Sequence, residues 1–178
     1  MNQHPTGLEG AISIDLIHFP DERGSFVKIF NKVEYKEAGF DLNFDETYYS
    51  VSKKGVIRGM HFQIPPHEHY KLVYAAAGTI LDVILDIRKS STTYGQHFTI
   101  ELSAENKKAL YIPVGFAHGF TALSETATMV YNVSTVYSPG FEGGILWDSF
   151  GYDWPFENPI LSERDSSLTL FKEYSSPF

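Results

Sequence analysis

The sequence predicts an all-β fold, a sandwich, jelly roll or small barrel, on three observations. Segments with period-two hydrophobicity recur at roughly ten-residue spacing along most of the chain. Turn residues stand between them, at Pro65–Pro66, Gly78, Gly95, Asn106, Pro113–Gly115 and Pro139–Gly140. Helical periodicity is scarce, and 14 Gly, 9 Pro and 15% aromatic residues fit strands and turns better than helices.

In chain order, a short helix is expected over Lys32 to Ala38, with Asn31 and Glu34 as an N-terminal capping pair and Gly39 closing it. Strands follow at Val56–Gln63 and Tyr70–Ala75. The clearest strand is Thr79–Ile87. There Leu81, Val83, Leu85 and Ile87 make a wholly apolar face, while Ile80, Asp82, Ile84 and Asp86 make one that must meet something partly polar. Further strands are expected at His97–Leu102, Ala109–Ile112 and Ala127–Thr135, and a second helix starts at Ser162, with Asp165 three residues on. With no linker, repeat or low-complexity stretch, residues 1–178 are expected to form one domain.

The balance of 14 basic and 22 acidic side chains gives a net charge of −8, and no run of lysines or arginines interrupts it. That excludes a sequence-independent binder of nucleic acid or of an anionic membrane, and any anionic ligand must meet a few placed cations. The absence of cysteine excludes disulfide scaffolds, thiolate metal sites and cysteine nucleophiles. No apolar stretch approaches ~18 residues and no signal-peptide pattern opens the chain, so a cytoplasmic protein without membrane association is expected.

Chemistry concentrates between Gly55 and Lys71, where Arg58, His61, His67, His69 and Lys71 make a basic window in an acidic chain. Such cations stabilise a phosphate or a developing enolate, and a neutral imidazole takes a proton near pH 7. The same residues also read as solvated turn histidines and a strand-edge lysine. His67 and His69, with His118 in a PxGxxH stretch, raise a three-imidazole metal site, but Leu72 and Val73 stand where its carboxylate ligand would be. Tyr131 reads as a core aromatic of its strand, and Asp165 as a helix-cap residue.

Taken in order, several blocks resemble the RmlC family, the dTDP-4-dehydrorhamnose 3,5-epimerases of nucleotide-sugar biosynthesis. They are Asp21-Glu22-Arg23-Gly24 with Phe26, Ser52 to Gln63 (SKKGVIRGMHFQ), Lys71-Leu72-Val73, Asp86 to Ser90, Leu102 to Lys107 and Ile112 to Phe120. Tyr131, Tyr137, Trp154-Pro155 and Leu161 to Asp165 complete the set, which spans about 21–165. The resemblance implies a cupin-type jelly roll, a homodimer with exchanged N-terminal strands, a nucleotide-diphosphate sugar as small-molecule substrate, and neither metal nor organic cofactor. It makes His61 the catalytic base, Asp165 the carboxylate that orients it, Tyr131 the acid on the opposite face of the sugar, and Lys71 the donor that holds the enolate oxygen. Arg58 and His118 match residues lining the sugar and diphosphate site. Arg23, Phe26 and Tyr137 match those near the nucleotide.

The chain departs from the family pattern where Lys28 replaces a glutamate, Glu46 a glutamine, Tyr48 an asparagine and Asn132 a lysine. With Lys28, Glu46 and Tyr48 placed in the substrate pocket, the two changes of charge predict a base preference other than thymidine. A Lys28–Glu46 pair would leave the base pocket unaffected. Two other readings stand beside the epimerase: a metal-dependent cupin isomerase or oxygenase using His67, His69 and His118, and a non-catalytic sugar-binding jelly roll. One geometric requirement is explicit. Arg58 and His61 are three apart, so in a regular strand they face opposite sides, and one pocket can hold both only if Gly59 introduces a bulge.

Overall fold

The computed structural model describes all of Met1–Phe178. Its strands are β1 (Asn2–Pro5), β2 (Ile12–Asp15), β3 (Ile17–Asp21), β4 (Gly24–Lys28), β5 (Glu46–Lys53), β6 (Ile57–Gln63), β7 (Lys71–Ala77) and β8 (Thr79–Asp86), followed by β9 (His97–Ser103), β10 (Lys108–Ile112), β11 (Phe116–Ala122), β12 (Thr126–Val133) and β13 (Glu142–Gly144). Two antiparallel sheets face each other, one ordered β1-β2-β10-β7-β12-β5 and the other β13-β6-β11-β8-β9, and β3 with β4 forms a separate hairpin. This is the jelly-roll architecture the sequence predicts, with α1 (Lys32–Glu37) and α2 (Glu163–Ser166) at its periphery.

Alternation along β8 explains the layering. Ile80 and Ile84 point between the sheets into a core that also takes Val73, Leu110 and Met129 from the first sheet and Phe116 and Phe120 from the second. Val83, Leu85 and Ile87 point outward and are covered by Ile145, Phe150 and Trp154 of the C-terminal segment. The polar residues on the inward face of β8 find partners. Asp82 bonds His118 Nε2 at 2.9 Å, and Asp86 takes Arg88, Ser91 and Thr93. These two carboxylates are fully buried, as a paired charge can be.

Both helices use the expected caps. Asn31 Oδ1 accepts from Val33 N and Glu34 N, and Asn31 Nδ2 donates to Glu34 Oε1 at 3.0 Å. Gly39, at φ +96, then lets Phe40 N reach back to Tyr35 O at 2.8 Å. Ser162 Oγ caps α2 by accepting from Asp165 N at 3.0 Å.

The β3–β4 hairpin stands apart from both sheets. Phe19 and Phe26 are 55% and 68% exposed and face each other across the hairpin, 6.4 Å between ring centroids. Lys28, at its base, pairs with Glu34 of α1 at 3.0 Å.

Candidate active site

A cleft opens at one end of the inter-sheet core, where inward-facing positions change from apolar to charged. It has two lobes of about 320 Å³ each, which share Tyr48, His61 and Lys71. One lobe is bounded by Glu46, Gln63, His69, Tyr137 and Glu142. The other is bounded by Ser50, Arg58, His118, Tyr131, Arg164 and Asp165.

Arg58 and His61 both enter it, by the irregularity the sequence demands. On β11, His118 pairs with His61 and Phe120 with Arg58, so Gly119 alone faces Gly59 and Met60 and the register shifts by one residue. Only glycines allow this. A Cβ on Gly59, at φ +147, would lie 2.5 Å from Gly119 Cα, and one on Gly119 would lie 2.9 Å from Arg58 O. Gly59→Ala is therefore expected to destabilise the protein by more than ~1 kcal/mol and to cut activity more than stability, since restoring regular alternation turns Arg58 away from His61. Thermal melting and turnover measured together check this, and a variant with wild-type activity would contradict it.

Asp165 braces the same spot. Its Oδ1 lies 2.7 Å from His61 Nε2, and its Oδ2 accepts from Gly59 N at 3.4 Å. Burial raises the Asp165 carboxyl, but His61 together with the hydrogen bonds from Gly59 and Ser162 outweighs it, so the group lies below the usual carboxylate value. With Asp165 ionised and accepting, the ring proton is assigned to Nε2, which leaves Nδ1 as the basic nitrogen. The His61 side chain is 33% exposed to the cleft.

On the facing sheet, Lys71 is 6% exposed and its ammonium makes one hydrogen bond, to His61 O at 3.3 Å. Burial lowers its pKa to about 8, against the opposing charge of Asp82. Tyr131 is 8% exposed, and its hydroxyl meets Ser50 Oγ at 3.3 Å. Burial pushes that phenol well above the ordinary tyrosine range. His118 is buried against Asp82, and desolvation holds it in the neutral direction despite that partner. Arg58 is held on the rim, donating to Ser52 Oγ at 3.0 Å and Val51 O at 3.3 Å.

Of the residues singled out in the sequence, the cleft thus gathers His61, Asp165, Tyr131, Lys71, Arg58, His118, Tyr137, Glu46 and Tyr48. It does not gather Arg23, Phe26 or Lys28, which lie on the projecting hairpin. Within this chain Lys28 lies outside the cleft and forms no pair with Glu46, while Glu46 and Tyr48 do line the cleft. Lys28 is neutralised by Glu34, and Glu46 Oε2 accepts from Tyr137 N at 2.7 Å.

Sequence reasoning missed Ser50, Gln63, Glu142 and Arg164. Glu142 accepts from Tyr137 Oη at 3.0 Å and from Arg164 Nη1 at 2.7 Å, which ties the tyrosine of one lobe to the helix that carries Asp165. Arg164 was legible as the neighbour of Asp165, whereas Glu142, in a three-residue strand, carries no signal. His67, His69 and His118 do not converge. His67 packs on Phe141, His69 Nδ1 faces Gln63 Nε2, and no group of three potential metal-binding residues forms anywhere in the structure.

The family model for dTDP-4-dehydrorhamnose 3,5-epimerase matches residues 5–173. The chain belongs to the dTDP-4-dehydrorhamnose 3,5-epimerase family. It is 45% identical over 172 residues to the dTDP-4-dehydrorhamnose 3,5-epimerase of Salmonella typhimurium, covering 94% of each chain. It is 44% identical over 168 residues to that of Shigella flexneri, covering 93% of each. Among solved structures, the dTDP-6-deoxy-D-glucose-3,5-epimerase RmlC of Legionella pneumophila in complex with dTDP-4-keto-L-rhamnose superposes with a TM-score of 0.93 at 36% identity, covering 98% of this chain and 94% of that one. The chain is accordingly an isomerase of the epimerase type, and its small-molecule partner is a nucleotide sugar. No helix is long and apolar enough to cross a membrane.

Proposed function

We propose that this epimerase inverts C3 and C5 of a dTDP-4-keto-6-deoxy sugar, with His61 as base, Lys71 as the enolate donor and Tyr131 as acid. One observation carries the reading. His61 on β6 and Tyr131 on β12 belong to opposite sheets and face one cleft, with the Lys71 ammonium beside them.

The chemistry follows from that arrangement. C3 and C5 both flank the C4 carbonyl, so the C–H electron pair left behind at either carbon spreads onto the ketone oxygen. Lys71, preorganised and desolvated, has two donors free to meet that oxygen as charge develops. His61 Nδ1 takes the proton, and Asp165 stabilises the imidazolium that results. Tyr131 Oη then gives its proton to the carbon from the other face, and the enolate collapses to the ketone with the centre inverted. Its high pKa suits it to donate rather than to compete as a base. The imidazolium loses a proton to solvent and the tyrosinate regains one, which resets the site without a redox step.

The diphosphate is assigned to Arg58 and Arg164, and Tyr137 is assigned to the base, on the lobe bounded by Glu46 and Glu142. Lys28 is neutralised by Glu34, which weakens the charge argument against thymidine, and the relatives matched act on dTDP sugars by name. The kcat/KM values across dTDP-, UDP-, CDP- and GDP-4-keto-6-deoxyglucose, measured with and without a chelator, test this. The dTDP sugar is expected to lead and the chelator to change nothing. Preference for another base would restore the earlier expectation, and loss of turnover on chelation would favour the metal reading.

A homodimer is also proposed. Its support is the projecting hairpin, on which Phe19 and Phe26 are large, exposed apolar side chains paired as rings with each other. A second copy can cover them, and a hairpin supplied in that way accounts for Arg23 and Phe26 being absent from the cleft of their own chain.

A further inference from the structure

One aromatic contact in the cleft has no part in the steps above. Tyr48 and Tyr131 are direct cross-strand partners on β5 and β12, and their rings stack at 4.8 Å between centroids and 20° between planes. Tyr131 also meets the edge of the His118 ring, at 6.1 Å and 69°. Its hydroxyl has one long hydrogen bond, to Ser50 Oγ at 3.3 Å. The aim of the phenol is thus set chiefly by rings. His118 is itself locked by Asp82, whereas Tyr48 stands on an edge strand, 41% exposed, as the wall common to both lobes. A large aromatic that exposed adds little to the core, so its packing value lies in the face it presents to Tyr131.

We propose that Tyr48 is a positioning residue for Tyr131: its stacked ring holds the phenol across the sugar, and so sets how often an abstracted proton is replaced with inversion rather than returned to the side it left. This rests on Tyr131 being the acid. When His61 takes a proton, the enolate has two fates. It can be reprotonated by His61, which after exchange with solvent labels the carbon without inverting it, or by Tyr131, which inverts it. Removing the Tyr48 ring opens space beside Tyr131 into which the phenol can rotate, and only the second fate suffers. The ring is what matters, not its hydroxyl.

The test uses intact Tyr48→Phe, Tyr48→Leu and Tyr131→Phe proteins with dTDP-4-keto-6-deoxyglucose in heavy water. NMR reads deuterium exchange and inversion at each carbon separately. A displacement of an ångström at a reacting group costs on the order of 10²-fold in rate, so Tyr48→Leu is expected to raise the ratio of exchange to inversion by about 10-fold or more. Tyr48→Phe is expected to keep the wild-type ratio of exchange to inversion to within about 2-fold, because the stacking face is retained. The ratio of exchange to inversion does not depend on how much of a sample is folded. A Tyr48→Leu protein with the wild-type ratio, whether its rates are normal, its KM is raised or both processes fall together, would overturn the proposal. If Tyr131→Phe loses inversion in the same experiment, the assignment of the acid survives that failure. If Tyr131→Phe inverts normally, both fall.

Discussion

His61→Asn is expected to lose at least ~10²-fold in turnover, with proton exchange at C3 and C5 lost together, because one imidazole is the base at both carbons. Asparagine preserves much of the shape and can still face Asp165 across the 2.7 Å contact, so the fold should survive. What disappears is the basic nitrogen on the cleft side. Asp165→Asn should show a smaller version of the same defect, since it removes the charge that stabilises the imidazolium while leaving the imidazole in place. Steady-state kinetics and NMR-detected exchange check both. Exchange at one carbon persisting in His61→Asn would mean that the two centres have different bases.

Lys71→Met is expected to cost about 10²- to 10³-fold in kcat, the range found when a preorganised donor to a developing oxyanion is removed. Its effect on stability should be read beside this by thermal melting, because losing the desolvation cost of the buried ammonium is offset by leaving the buried Asp82 carboxylate without that opposing charge. The wild-type pH profile supplies a second check. The Lys71 pKa of about 8 lies below that of an ordinary lysine, so the ammonium is present below that pH and lost as pH rises through it. The kcat/KM of the wild type should then fall on the alkaline side with an apparent pKa near 8. In Lys71→Met this limb should be missing. A wild-type alkaline limb retained in the variant would assign it to another group.

How far the sequence carries such an account differs from element to element. β8 was legible almost to the residue, because its two faces meet different environments and the alternation is clean. β11 was not, because every residue of Phe116–Ala122 is buried and period two vanishes when both faces are covered. β5 was missed for the opposite reason. Its inward positions, Glu46, Tyr48, Ser50 and Ser52, are mostly polar and serve the cleft rather than the core, and the outward Thr47, Tyr49, Val51 and Lys53 are mixed, so neither face is apolar and no alternation shows. In the site, the blocks around His61, Lys71, Tyr131 and Asp165 were found by their order along the chain, while their convergence depends on the Gly59–Gly119 bulge and on α2 folding back on β6. The bulge could be demanded from Arg58 and His61 alone, but nothing local could show that Glu34, and not the pocket, would claim Lys28. Tyr48 was flagged as a departure in the pocket, and only the register of β5 on β12 sets it against Tyr131.

The central claim is that protons leave and return at C3 and C5 through His61 on one side and Tyr131 on the other. Conversion of dTDP-4-keto-6-deoxyglucose in heavy water, followed by NMR to one complete turnover, tests it most directly. The account predicts that every inverted carbon carries deuterium from solvent, and that Tyr131→Phe gives deuterium without inversion at the same carbons. Inverted carbons that keep their original protium would contradict it, because inversion between two separate groups cannot return the proton that was removed.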